Sequence, residues 1–260
     1  MPQVAHQWNP ADYARHSQGQ EVFARELIAS LNLQPNEDVL DLGCGDGRMT
    51  AEIAKLAPAG RVVGVDRSGE MVAFAAENFY SSNLSFQVAD AAALPFREEF
   101  DTVYSSAVLH WVPDHNAALA GIARSLRPGG RCLLQMGGKG NGVEMTRAFE
   151  QTGAKPSGFT YAFHGAEEYR GMVEAAGLVA DSVALIPKDM LHSSLAALTG
   201  WLRTAWQPYH RDIPEEHKAS FLETVTHRYA QAHPAEPDGA FHVLMMRLQV
   251  RAHKARGKCR

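Results

Sequence analysis

The chain has 260 residues, 45% apolar and 21% charged, the balance of a folded globular protein with room for a large α/β core and a small cap. A net charge of −4 without any dominant block of like charges excludes a generic attraction to nucleic acid or anionic membrane. No apolar run approaches the roughly 18 residues of a membrane span, and the first 15 residues lack the apolar stretch of a signal peptide, so a cytoplasmic protein is expected.

The local exception in charge is the basic stretch 254–260, read as a solvated terminus. Cys44, Cys132 and Cys259 lie far apart and form neither a CxxC nor a zinc spacing, so neither a disulfide framework nor a structural metal is expected. Histidines between His164 and His253 are numerous but scattered, without the i, i+4 pairing of a metal-binding helix.

In chain order, residues 21–31 predict a helix with Val22, Phe23, Leu27, Ile28 and Leu31 on one face. Gln34, Pro35 and Asn36 break it, and residues 38–42 read as a buried strand followed by a glycine loop. A helix then runs to Leu56, ended by Pro58 and Gly60, and residues 61–66 form a second strand. Ser68 is placed to cap a helix whose apolar face is Met71, Val72, Ala75, Ala76 and Phe79. A third strand covers 84–88 and ends at Asp90, and a fourth covers 100–105. Asp114 caps a helix burying Leu119, Ile122 and Leu126, Pro128-Gly129-Gly130 stops it, and 131–136 is the fifth strand.

Short apolar strands separated by amphipathic helices imply a parallel sheet covered on both faces. After glycine-rich residues 137–142 the second half predicts a helix at 166–176, a strand at 179–186, helices at 193–209 and 214–232, and a last strand at 241–250. The expected fold is α/β: a doubly wound, mostly parallel seven-stranded sheet with a helical lid. It divides into an N-terminal segment (1–32), a core (33–188), a helical insertion (189–239), and a last strand with tail (240–260).

The strongest chemical signal is VLDLGCGDG at 39–47. In an open α/β sheet, ligands sit at the carboxyl ends of strands where strand order reverses, and a loop leaving the first strand needs glycines for close backbone approach. Gly43, Gly45 and Gly47 provide that approach, with Asp41 placed at the strand end to organise the loop or meet an ammonium group. The spacing is GxGxG after an acid rather than the GxGxxG of dinucleotide loops, and a diphosphate prefers helix-terminal N–H donors without a nearby carboxylate. A nicotinamide-dependent oxidoreductase is thereby disfavoured. Asp66 ends the second strand, where an acid accepts both hydroxyls of a ribose, and Asp90 ends the third, where it accepts from an adenine amine while Ala91 donates through its backbone.

These residues resemble the class I S-adenosylmethionine (SAM)-dependent methyltransferases, whose Rossmann-like motifs are matched by VLDLGCGDG, VVGVD, the acid of QVADAAALPF, VYSSAVLHWV and LRPGGRCLL, within residues 38–136. SAM has an amino-acid end and no phosphate, which tolerates the loop carboxylate. The resemblance implies a cofactor set of Asp41, Gly43, Cys44, Gly45, Gly47, Asp66, Arg67, Met71, Asp90, Ala91 and Ser106. Outside the core, WNPADYARHS at 8–17, GWLRTAWQPYH at 200–210 and PEEHKASFLETVTHRYAQAHP at 214–234 look like the trans-aconitate methyltransferase branch, whereas QMGGKGNG at 135–142 departs from it.

The branch implies a small-molecule acceptor methylated on a carboxylate oxygen, with natural-product O-, N- or C-methylation and a non-catalytic SAM-binding protein as rival readings. Nucleic-acid and membrane partners are not expected, and monomer and homodimer both stay open. His110 follows the fourth strand where the methyl group should lie. It reads as orienter, base or structurally satisfied histidine, with Trp111 as a pocket wall. Arg203, beside Trp201, Trp206 and Tyr209, reads either as a two-pronged carboxylate anchor or as a surface arginine. Trp8, Tyr13 and His16 either close over the cofactor or pack an N-terminal helix.

Overall fold

The computed structural model describes residues 8–257; the first seven residues and the end of the basic stretch, with Cys259, lie outside the described residues. Strands β1 (Val39–Leu42), β2 (Val62–Asp66), β3 (Leu84–Val88), β4 (Phe100–Ser106), β5 (Leu126–Gly137), β6 (Leu178–His192) and β7 (Phe241–Lys254) form one sheet in the order β3-β2-β1-β4-β5-β7-β6. The pairs among β1 to β5 are parallel, and β7 runs antiparallel between β5 and β6. Strand order reverses between β1 and β4, so their carboxyl ends open a crevice.

Alternate residues along the central strands bury opposite faces. Leu40, Val63, Val103 and Leu134 join one apolar cluster under helices α5 (His115–Ser125) and α7 (Ala166–Ala175). Val39, Val62, Tyr104 and Leu133 join another under α2 (Gln18–Ala29) and α3 (Arg48–Leu56). Near-continuous apolar strands follow from burial on both sides. The caps read from sequence form as expected. The Ser68 hydroxyl accepts from the Met71 N–H at 3.2 Å to start α4 (Gly69–Asn78), and the Asp114 carboxylate accepts from the Ala117 N–H at 2.9 Å to start α5.

Several elements differ from the sequence-based expectations. Val22 is 53% exposed while Phe23, Leu27, Ile28 and Leu31 are buried, because α2 meets the sheet along a narrower stripe than its apolar content suggests. In α4, Met71 and Ala75 are buried and Ala76 is exposed. Strand β3 stops at Val88, and Asp90 lies two residues beyond, capping a 3-10 turn (Ala91–Ala93) by accepting from the Ala92 N–H at 2.9 Å.

Helix α6 (Val143–Glu150) was not anticipated behind the glycine-rich stretch; it buries Met145, Ala148 and Phe149. Strand β6 runs six residues past its expected end at Ile186. Pro187 lies within it, which an edge strand tolerates because one side of its backbone has no ladder partner.

The extended ends of β6 and β7 carry the helical cover. Met190, Phe241, Val243 and Met245 pack with Leu198, Trp201 and Leu202 of α8 (Leu195–Ala205) and with Leu222, Val225 and Tyr229 of α9 (Glu215–Ala232). The cover thus has its own apolar core. Among the described residues, no helix is long and apolar enough to cross a membrane.

Candidate active site

At the reversal point the β1 loop turns sharply, and its shape is dictated by what a side chain would strike. Gly43 sits at φ +79°, where a Cβ would meet Val108 Cγ2 at 2.1 Å, so the loop lies directly on the segment that follows β4. Gly47 (φ +83°) has a different duty. Its missing Cβ faces Ala75 and Phe86 at 2.6 and 2.9 Å, so this glycine lets α3 start close against α4 and β3 rather than approach a ligand. Cys44 is buried beside Gly64, and burial pushes its thiol pKa up, so it is a packing residue of the loop.

Three adjoining cavities surround this loop. The central one is lined by Gly43, Gly45, Asp66, Arg67, Met71 and Ser106 on the sheet side. Its other walls are aromatic, with Trp8, Trp111, Tyr161, Phe163, Trp201 and Trp206 around it. A second, beside Gly45, reaches Asp41, Asp46 and Tyr104; a third, beyond Asp66, reaches Asp90, Ala91 and Val112. Asp41, Gly43, Cys44, Gly45, Asp66, Arg67, Met71, Asp90, Ala91 and Ser106 therefore line one continuous groove, and Gly47 stands behind it.

The acids in this groove are held differently. One Asp66 oxygen accepts from the Gly45 N–H at 3.1 Å and the other from the Ser68 N–H at 2.9 Å, which fixes the carboxylate plane at the end of β2. Each oxygen has a second lone pair for an outside donor. Burial raises the Asp66 pKa against the opposing pull of those N–H groups.

Asp41 is buried, accepts from the Thr50 hydroxyl at 2.6 Å, and has its pKa pushed up to about 7, by burial first and by Asp66 and Asp46 after it. The folded chain therefore keeps a proton on Asp41 between 3.8 and about 7, where the unfolded chain has released it, and stability falls as pH rises through that window. Asp41→Asn keeps an acceptor for Thr50 and removes the buried charge. It is expected to stabilise the ligand-free protein by about 1–2 kcal/mol at pH 8 and to flatten its pH dependence, as read by thermal melts from about pH 4.5 to 8.

His110 lies in a 3-10 turn (Leu109–Trp111) after β4, 9% exposed. Its Nδ1 accepts the Gly137 N–H at 3.3 Å, which leaves the ring proton on Nε2. Burial first, then Arg247 and His115, hold its pKa well below the usual range, so the ring is neutral at pH 7. Trp111 stands over the cleft, edge-on to Trp8 at 5.2 Å and Tyr161 at 4.8 Å. Tyr13 is edge-on to Trp8 at 5.7 Å and also lines the central cavity. The Tyr161 hydroxyl is engaged, donating to the Ala205 carbonyl at 2.6 Å.

Two sequence candidates lie elsewhere. Arg203 Nε donates to Asp12 at 2.8 Å, and the guanidinium sits in an outer groove, where it ties α8 to helix α1 (Pro10–His16). The helical turn that carries Arg203 presents Leu202 to the core of the cover and turns the arginine outward. Tyr209 stacks on Phe149 at 4.7 Å and lines a small separate cavity instead of the central one. His16 packs against Gly200, where a Cβ would meet its ring at 2.1 Å, which joins the N-terminal helix to the cover.

The structure brings to the central cavity polar residues that sequence reasoning passed over, among them Gln20. Arg247 on β7 is 3% exposed and lines the central cavity, and Asn141 is 6% exposed beside it. Arg247 is in phase with the buried residues Phe241, Val243 and Met245, but the alternate phase holds Leu244, Met246, Leu248 and Val250, so the strand pattern alone gives no signal for it. Among the described residues, no group of three or more His, Cys, Asp or Glu side chains is arranged to hold a metal ion.

Comparison with known proteins places this geometry. Residues 40–134 match the family described as Methyltransferase domain. The Trans-aconitate 2-methyltransferase of Variovorax paradoxus is 31% identical, covering 95% of this chain and 98% of its own. The enzyme of the same name from Methylobacterium radiotolerans is 33% identical with the same two shares, 95% and 98%. The crystal structure of the YcgJ protein from Bacillus subtilis has a TM-score of 0.61 at 18% identity, covering 93% of this chain and 100% of that one, which is a likeness of fold. A glycine loop at the reversal of a seven-stranded sheet and relatedness over nearly the full length agree: the chain belongs to the class I SAM-dependent methyltransferases, an enzyme family with SAM as cofactor, and is similar to the trans-aconitate 2-methyltransferases within it.

Proposed function

We propose that this enzyme transfers the SAM methyl group to a carboxylate oxygen of a small organic acid. The observation that carries the reading is the state of His110. Its Nδ1 lone pair is occupied by the Gly137 N–H and the ring is neutral, so the histidine at the expected methyl position is a donor and not a base. An acceptor that is already anionic needs no base; a phenol, an ammonium group or a carbon acid does. The names carried by the relatives point the same way.

In this reading Asp66 receives the ribose hydroxyls, and Asp41 with the backbone around Gly45 faces the amino-acid end. Asp90 and Ala91 line the adenine end. Bound SAM supplies a methyl on a positively charged sulfur, and its passage to a carboxylate forms a C–O bond and breaks the C–S bond, the electron pair remaining on sulfur with no proton to remove. The chain's own contribution is alignment and dryness: Trp8, Trp111 and Tyr161 exclude water while His110 donates a hydrogen bond toward the acceptor.

The test is to incubate the enzyme with methyl-labelled SAM and small di- and tricarboxylic acids, trans-aconitate first. A methyl ester is the expected product, releasing its label as methanol in mild alkali. Label that survives alkali would mark an ether, amine or carbon product and overturn the reading. His110→Ala is expected to lower kcat by roughly 10-fold, the scale of one lost hydrogen bond. A fall of about 100-fold or more with SAM affinity intact would instead mark a base.

A further inference from the structure

Arg247 is a buried cation without a counter-ion among the described residues. Its Nε has no hydrogen-bond partner, and among the described residues no carboxylate lies within ion-pair distance of its guanidinium. Its documented neighbours are the Phe23 ring, 5.8 Å from Cζ, and electrostatically Tyr13 and His110. Burial pulls its pKa down to about 10, which leaves it charged at neutral pH. An unpaired charge removed from water destabilises a fold unless something compensates it.

The surroundings show where the compensation comes from. Arg247 faces Gly137 across the β5–β7 ladder, and Gly137 is the residue whose N–H holds His110. A Cβ on Gly137 would lie 2.9 Å from Asn141 Nδ2, and the buried Asn141 side-chain oxygen has no partner in its assigned orientation. Arg247, Asn141 and His110 thus all line the central cavity, grouped around one backbone residue of β5. Asp66, held by the Gly45 N–H of the glycine loop, lines the same cavity, whereas Gly137, Asn141 and His110 around Arg247 belong to the segments that follow β4 and surround the end of β5.

We infer that the Arg247 guanidinium, with Asn141 beside it, is the subsite that binds an anionic group of the methyl acceptor. This deepens the carboxylate reading above and rests on it. A guanidinium fork takes two oxygens in plane and would occupy the lone pairs that attack requires. The group it holds is therefore a second carboxylate, distinct from the one that receives the methyl. Arg247 sets which acids enter, and the reacting carboxylate is left to the weaker donor His110.

The experiment titrates trans-aconitate and the monoacid crotonate into protein saturated with S-adenosylhomocysteine, using wild type, Arg247→Met and Arg247→Lys. Arg247→Met is expected to weaken trans-aconitate binding roughly 15- to 150-fold, to leave crotonate and S-adenosylhomocysteine affinity within about twofold, and to melt no lower than wild type. Arg247→Lys, which keeps the charge without the fork, should fall between them. Trans-aconitate bound equally by wild type and Arg247→Met would overturn the subsite and leave the carboxylate reading standing. Loss of S-adenosylhomocysteine binding in Arg247→Met would reassign the cation to the cofactor and overturn it too. A wild type that binds neither acid would overturn both.

Discussion

Asp66→Ala is expected to weaken S-adenosylhomocysteine binding about 100-fold or more while the protein still folds. The carboxylate is held by the Gly45 and Ser68 N–H groups, so its free lone pairs face the groove at a fixed angle. Hydrogen bonds to a charged acceptor contribute about 1.5–3 kcal/mol each, and a ribose offers two hydroxyls. Alanine also strips the Gly45 N–H of its acceptor, which loosens the loop itself. Folding should survive because desolvation of this acid already opposes the folded state. Asp66→Asn keeps the shape and one acceptor oxygen, and its affinity should fall between the two. Calorimetry on the three proteins checks the series. Unchanged affinity in Asp66→Ala would mean that the ribose is held elsewhere.

Gly43→Ala should be the most damaging single methyl added to the glycine loop after β1. An alanine at φ +79° carries a backbone strain of about 1–2 kcal/mol. The new Cβ would also lie 2.1, 2.5 and 2.7 Å from three carbons of Val108, so loop and β4 segment must separate. Together these effects are expected to destabilise by about 3 kcal/mol or more, a fall in Tm on the order of 6–12 °C for a chain this long. Since Val108 leads directly into the His110 turn, kcat/KM should drop by about 100-fold even where the protein remains folded. Val108→Ala vacates the colliding methyls, so the double variant should recover part of the stability but not the strain. A double variant no better than Gly43→Ala would show that backbone conformation dominates and the contact with Val108 contributes little.

How much was legible beforehand differs between the two halves of the molecule. In the first half, each strand is short and apolar, each helix has its cap or its stop within a few residues, and the acids sit where strands end. Ser68 and Asp114 cap the predicted helices, and Asp66 closes β2. These are interactions between residues a few places apart, which is the information a single sequence carries. The mistakes there are ones of facing: Val22 and Ala76 lie on the margins of apolar stripes, and only a neighbouring element decides whether a margin is covered. Gly47 belongs to the right motif, but its reason is a close contact with Ala75 and Phe86, from another helix and another strand.

The second half was read less well for a physical reason. The sequence by itself determined that a glycine loop and an acid at the second strand end would meet at one crevice, because strand ends in a parallel sheet converge whatever covers them. The last strand was legible at 241–250, but both of its faces carry apolar residues, so the side taken by Arg247 was not. What only the tertiary structure decided is which cation faces the cleft. Helix α8 packs through Leu202 and turns Arg203 onto Asp12, while β7 runs between β5 and β6 and carries Arg247 into the cavity lining. The choice rests on contacts between residues far apart in sequence, and on a buried charge with no ion-pair partner among the described residues.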